Sequence, residues 1–323
     1  MPSYALGIDL GGTSIKGALV ERGQGVVARC ARPTEGDGGP AHVLDRVAAI
    51  ARELLDNHTG PAPIGLGMGV PGAVNLARTT VSQPSNLPGW DVVDVQAEIA
   101  ERIGMPHVVV ENDANVAGLG SAHYGAGLAH DSFLMVTLGT GVGGAIIYNN
   151  QVFRGSTGGA GEIGHVSIDY EGPLDNSGIG GAIESYLGQQ FLSAHARQRL
   201  RHRPESAVHR LLNDDLDALT PRVLYDAARE GDDAAIDVLA WAGHKLGCAL
   251  STAVNLLDIR VVVVGGGVSN AGAFLLDPAR KALRRQVLPA FRDGLCIERE
   301  QLGNEVAVLG AAHLAFSTTP PDA

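Results

Sequence analysis

One motif occurs twice in this chain, and it limits the possible architectures more than any other feature. Apolar Tyr4–Asp9 runs into the turn Leu10-Gly11-Gly12-Thr13 and returns as Ile15–Val20. Far downstream, Phe133–Leu138 runs into Gly139-Thr140-Gly141-Val142-Gly143-Gly144 and returns as Ala145–Tyr148. Asp9-Leu10-Gly11 answers to Thr137-Leu138-Gly139, and Gly17–Val20 to Gly144–Ile147, with one residue of slack. Each copy continues into a third strand-like run, Val26–Ala31 or Gln151–Arg154. The pattern predicts an α/β chain of two similar βββα halves facing a cleft. The alternative is a chance likeness between two hairpins in a chain carrying 44 glycines.

Helical spacing appears at His42–Leu55, Val92–Ile103, Ser185–Leu200, Pro221–Glu230 and Ala234–Leu257, and again after about Ala271 and near Leu309–Phe316. Ile64–Val70, His107–Val110 and Arg260–Val264 read as strands, and Ser317–Ala323 as a loose tail. At 323 residues the chain is long enough for two domains. The expected division is 1–115 and 116–323, with the final helix packing back on the first half. The formal charge of −11 disfavours nucleic acid and anionic membranes as partners. The longest apolar region, Cys248–Val268, is broken by Asp258 and Arg260 and is not a membrane span. No basic, apolar leader precedes Tyr4, and Cys30, Cys248 and Cys296 share no ligand spacing, so reduced thiols in the cytoplasm are expected.

Three Gly-rich turns follow three apolar strands, the third being Val264-Gly265-Gly266-Gly267-Val268-Ser269. Glycine there exposes successive N–H groups with no Cβ in the way, which suits phosphate oxygens. None is a Walker A loop or a full dinucleotide fingerprint. Asp9, at a strand end beside the first turn, could hold Mg²⁺ through water or could cap its own turn. Lys16 could reach a phosphate or stand in solvent. Glu111-Asn112-Asp113-Ala114-Asn115 gathers polar groups directly after Val108-Val109-Val110, where a strand gives way to a helix. Asp113 could cap that helix. Ionised at neutral pH, with an ordinary pKa near ~3.9, it could also accept a hydroxyl proton during phosphoryl transfer.

Together these runs, with Gly161-Glu162-Ile163-Gly164-His165, resemble the ROK family of bacterial sugar kinases and repressors in order and spacing over nearly the whole chain. The resemblance implies an actin-like ATPase (RNase H-like) fold, usually in a homodimer or homotetramer, with a hexose between the lobes. It makes Asp113 the base for the sugar 6-hydroxyl. Asn112, Glu162, His165 and Glu184 become contacts of ring hydroxyls, with Gly72 and Asn86 lining the same site. ATP and Mg²⁺ fall to Gly11, Gly12, Thr13, Lys16, Thr140, Gly141, Gly266, Gly267 and Asp9.

The chain departs from the family at one loop. Members commonly carry a structural zinc on this histidine and a Cys-x-Cys-x4-Cys loop, but the three cysteine positions here hold Asp175, Ser177 and Ala182. One histidine with Asp, Ser and Ala does not make a useful tetrahedral site, so no zinc is expected, and another partner should orient His165. The eight residues before Asp9 leave no room for the DNA-binding domain of the repressors, which favours a kinase. Asn86–Trp90 resembles the family members that phosphorylate glucose, and Ala73 follows Gly72 where acetamido-sugar kinases can present a larger polar residue, so the resemblance implies glucose ahead of N-acetylhexosamines, with fructose and mannose as further alternatives. The low basic content (24 Lys and Arg against 35 Asp and Glu) favours ATP over polyphosphate as donor.

Overall fold

The computed structural model describes residues 2–84 and 86–318. The first sheet holds five strands in the order β3–β2–β1–β4–β8: β1 (Tyr4–Leu10), β2 (Ser14–Glu21), β3 (Gly25–Pro33), β4 (Leu66–Val70) and β8 (Val108–Asn112). The first three pair antiparallel through tight turns, whereas β1–β4 and β4–β8 are parallel. A small sheet of β5 (Ala73–Val74), β6 (Thr80–Ser82) and β7 (Val92–Asp94) lies between β4 and β8 in sequence.

Period-two alternation divides the two faces of the first sheet. Leu6, Ile8, Leu10, Ile15 and Leu19 pack on one face with Val43, Val47, Ile50 and Leu54 of α1 (Gly39–Asp56). Ala5, Ala18 and Val20 pack on the other with Val308, Leu309 and Ala312 of α10 (Glu305–Thr318). The helix α10 comes so close that a Cβ on Gly67 would lie 1.7 Å from the Ala311 carbonyl oxygen. It crosses α3 (Asp113–Tyr124) just as tightly, since a Cβ on Gly310 would lie 1.7 Å from the Val116 oxygen and one on Gly120 1.8 Å from the Val306 oxygen. These glycines are there because backbone must touch backbone.

The second sheet has the order β11–β10–β9–β12–β13, from β9 (Phe133–Leu138), β10 (Val142–Tyr148), β11 (Gln151–Val152), β12 (Val261–Gly265) and β13 (Cys296–Arg299). The order repeats that of the first sheet strand for strand, so the recurring Gly-turn hairpin marks a duplication. The remaining helices are α2 (Val95–Ile103), α4 (Glu184–Leu187), α5 (Gln189–Leu200), α6 (Ala207–Leu211), α7 (Pro221–Arg229), α8 (Asp233–Leu257) and α9 (Ala273–Gln286). None of the described helices is long and apolar enough to cross a membrane.

Three local expectations change. Val92–Asp94 is a strand, and the helix starts only at Val95, where Asp94 caps it by accepting from the Ala97 N–H. The helix expected over Ser185–Leu200 breaks at Gly188, whose extended ψ of 138° separates α4 from α5. Ser317 and Thr318 are helical, while 319–323 of the expected tail lie outside the described residues. By contacts the described residues form two units, 2–135 with 145–161 and 302–318, and 136–144 with 162–301. Against the halves read from the sequence, α3 belongs to the first unit, where its crossing with α10 places it.

In the first unit, His313 stacks on His123 with ring centroids 3.5 Å apart. Burial, then His123 and Arg22, push the His313 pKa down to about 4. Tyr124 meets the ring edge-on, and burial also lowers His123, against the backbone of Asn150. Between pH 6.5 and 4 the unfolded chain takes up a proton that the folded chain refuses, so stability is present above this window and falls as pH drops through it. After discounting for solvent screening, about 1–2 kcal/mol should be lost from this source between pH 7 and 5. Urea unfolding should show that the wild type loses this much more than His313→Gln. Equal losses would remove the assignment.

Candidate functional site

In the first unit, the turn between β1 and β2 closes with the Gly11 N–H donating to the Ser14 oxygen at 3.0 Å, while Thr34 Oγ1 donates to the Gly11 oxygen at 2.6 Å. Gly12 abuts Asn86, since a Cβ there would lie 2.9 Å from the Asn86 Cβ. A residue read as a sugar contact thus adjoins a turn read as a phosphate cradle. Asp9 and Lys16 face each other across the β1–β2 ladder, with Lys16 Nζ 3.5 Å from Asp9 Oδ2 and 3.4 Å from Asn304 Oδ1. Lys16 is therefore tied to protein partners. Burial pushes the Asp9 carboxyl up and Lys16 only partly opposes it. A hard, oxygen-binding cation would relieve that buried charge, so Asp9 fits Mg²⁺.

At the end of β8, Asn112 caps α3. Its Oδ1 accepts from the N–H groups of Ala114 at 2.9 Å and Asn115 at 3.2 Å. The cap that sequence reasoning offered as the alternative role of Asp113 thus belongs to its neighbour. Asp113 is the first helical residue, and its Oδ1 accepts from the Ala114 N–H at 2.8 Å. Asn112 Nδ2 donates to the Gly72 oxygen at 3.2 Å. Gly72 has φ +98°, and a Cβ on it would meet the Ser82 oxygen at 2.9 Å, so only glycine sits there unstrained.

A buried charge cluster holds this strand end in place. Glu111 is fully buried, and its Oε1 accepts from the Asn112 N–H and Asn115 Nδ2. Its Oε2 lies 3.0 Å from Arg78 Nε and 2.9 Å from Arg154 Nε. Arg154 also donates to the carbonyls of Val74, Asn75 and Leu76, tying the 74–76 segment to β8. Sequence reasoning singled out neither arginine. They lie 33 and 43 residues from Glu111, and only the fold brings them together.

In the second unit, Glu184 Oε2 accepts from the Val142 N–H of the second Gly turn at 2.9 Å. A Cβ on Gly141 would fall 2.3 Å from that same oxygen, which explains the glycine. The N–H of Gln189, opening α5, donates to the oxygens of Gly139 and Thr140. Gly266, at φ +82°, lies against the Leu138 backbone, which joins the third turn to the second, and its oxygen accepts from Ser269 Oγ within the third turn. At Gly139 and Gly267 nothing lies within 4 Å of where a Cβ would be, so both turns leave room for a ligand.

Glu162, His165 and Glu184 are brought within electrostatic reach of one another. Burial pushes the Glu162 carboxyl up, His165 opposes this, and Glu184 adds to it. His165 Nδ1 lies 2.7 Å from Asp175 Oδ2. Asp175 occupies one of the three departed cysteine positions and was read there only as a lost ligand.

These residues can cradle phosphates on N–H groups, hold a cation on a carboxylate and bind hydroxyls on a cluster of carboxylates and imidazole. The ROK family model matches residues 5–318. A glucokinase of Streptomyces coelicolor is 34% identical over 98% of this chain and 98% of that protein. A glucokinase of Thermotoga maritima is 31% identical over 97% of this chain and 98% of that protein. Among solved structures, a ROK family glucokinase from Streptomyces griseus in complex with glucose and AMPPNP superposes with a TM-score of 0.87 at 33% identity, covering 98% of this chain and all of that one.

Proposed function

The chain belongs to the ROK family, and we propose that it transfers the γ-phosphoryl group of ATP to the 6-hydroxyl of a hexose, with glucose as the principal substrate. The observation that carries this reading is the bond from the Val142 N–H to Glu184. It joins a carboxylate of the hydroxyl-binding cluster directly to a Gly turn of the nucleotide cradle.

Asp113 is the proposed base. As the sugar oxygen attacks the γ-phosphorus, the new O–P bond forms, the bond to the β,γ-bridging oxygen breaks and ADP leaves with that electron pair. The hydroxyl proton passes to an Asp113 oxygen and then to solvent. The transition state is loose, so a well-placed carboxylate of ordinary basicity is sufficient. Asn112, Glu162, His165 and Glu184 are the proposed partners of ring hydroxyls, with Gly72 and Asn86 beside Asn112 and the first turn. Gly11, Gly12, Thr13, Thr140, Gly141, Gly266 and Gly267 are the proposed nucleotide contacts, with Lys16 tethered next to Asp9. A divalent cation held near Asp9 would supply charge neutralisation on the phosphates. The reading includes a cytoplasmic homodimer or homotetramer.

The test is ADP release across glucose, mannose, fructose and N-acetylhexosamines with Mg·ATP, repeated with polyphosphate as donor. Glucose should give the highest kcat/KM and ATP the higher rate. Faster turnover of an N-acetylhexosamine would displace glucose, comparable rates with polyphosphate would displace ATP as sole donor, and turnover of no sugar would remove the kinase reading.

A further inference from the structure

The segment that follows His165 is closed by its own hydrogen bonds. Isolated bridges join Ser167 to Ala182 and Leu174 to Gly180, and the Gly181 N–H donates to the Pro173 oxygen at 2.8 Å. Asp175 lies at the centre with its side chain fully buried. Its two oxygens have separate tasks. Oδ1 accepts from the N–H groups of Ser177 at 2.9 Å and Ile179 at 2.8 Å, closing the turn. Oδ2 faces His165 Nδ1. Burial alone would raise the Asp175 carboxyl, but the Ile179 N–H, the His165 ring and the Ser177 N–H more than reverse this and hold it below the usual range.

An ionised carboxylate only accepts hydrogen bonds. The proton of a neutral His165 must therefore sit on Nδ1, which leaves Nε2 as an acceptor. Closing the turn needs only Oδ1, so the contact through Oδ2 is an additional function of the same side chain.

We propose that Asp175 is a positioning residue for the hexose: it fixes the His165 ring and its tautomer so that Nε2 accepts a hydrogen bond from a sugar hydroxyl, and it closes the turn of the 172–182 loop in the place of zinc. The proposal rests on the reading of His165 as a hexose contact. It gives one carboxylate two roles, ordering the loop and setting the donor–acceptor sense of the imidazole.

Asp175→Asn separates the two roles. The amide oxygen can keep the Ser177 and Ile179 N–H groups, while its NH₂ now faces His165 Nδ1 and drives the proton to Nε2. The KM for glucose should rise about tenfold, with a smaller change in kcat and none in the KM for ATP. That penalty should vanish for whichever monodeoxyglucose lacks the hydroxyl that meets Nε2. Nitrogen-15 NMR of His165 should show protonated Nδ1 and bare Nε2 in the wild type and the reverse in the variant. Treatment with 1,10-phenanthroline should leave the wild-type KM for glucose unchanged.

His165→Ala distinguishes the two layers of the argument. An unchanged glucose KM in that variant would remove His165 as a hexose contact. A raised KM there, with wild-type KM and tautomer in Asp175→Asn, would overturn the role of Asp175 alone. The wild-type spectrum does not depend on whether the variant folds: a protonated Nε2 with bare Nδ1 overturns the proposal directly.

Discussion

Asp113→Asn is expected to lower kcat by about 10²–10⁴-fold, the usual contribution of a positioned general base, while the KM for glucose changes by less than about fivefold. Asparagine matches aspartate in shape, and its amide oxygen can still accept from the Ala114 N–H, which Asp113 Oδ1 does now at 2.8 Å. The helix cap is unaffected because Asn112 supplies it. On the proposed role of Asp113, what disappears is the ability to receive the hydroxyl proton as the O–P bond forms. Steady-state kinetics with a coupled ADP assay checks this, with circular dichroism confirming the fold. A kcat within threefold of wild type would mean that the proton leaves by another route.

Arg154→Met should have the largest effect on stability, a loss of about 3–5 kcal/mol, because it removes one partner from a fully buried carboxylate. Glu111 would keep Arg78 at 3.0 Å, but the guanidinium that also ties the carbonyls of Val74, Asn75 and Leu76 would be gone. Asn112 and Asp113 follow Glu111 directly in sequence, so kcat should fall about tenfold through misplacement of the base. Urea unfolding and kinetics on the same preparation check both effects. Adding Glu111→Gln should recover part of the stability, because the buried charge is then removed as well. A single variant as stable as the wild type would show that the cluster is relaxed by water.

The duplicated hairpins could be read from sequence because glycine turns flanked by alternating apolar runs are local signals. The β3–β2–β1–β4–β8 order recurring as β11–β10–β9–β12–β13 is their consequence. Boundaries were less legible where apolar spacing fits both periods. Val92 and Val93 suit a helix and a strand equally, and pairing with β6 makes them a strand. Gly188 inside a helical pattern hid a break, which becomes necessary because the Gln189 N–H must reach the Gly139 and Thr140 oxygens.

The candidate site divides in the same way. Asp113, Glu162, His165 and Glu184 stand in short motifs whose chemistry is visible in the chain. The residues that hold them in position do not. Arg78 and Arg154 reach Glu111 across 33 and 43 residues, and nothing near either in sequence marks the partnership. Asp175 shows the opposite problem. Set against a cysteine pattern it reads as a ligand lost, whereas its oxygens bond two N–H groups and an imidazole.

The central claim, transfer of the ATP γ-phosphoryl group to the hexose 6-hydroxyl, is tested most directly by phosphorus-31 NMR of the product formed from glucose and Mg·ATP. The expected spectrum shows ADP and, in equal amount, one phosphomonoester whose phosphorus couples to the two C6 protons. A phosphoester at the anomeric carbon, or ATP consumed with no sugar phosphate formed, would contradict it.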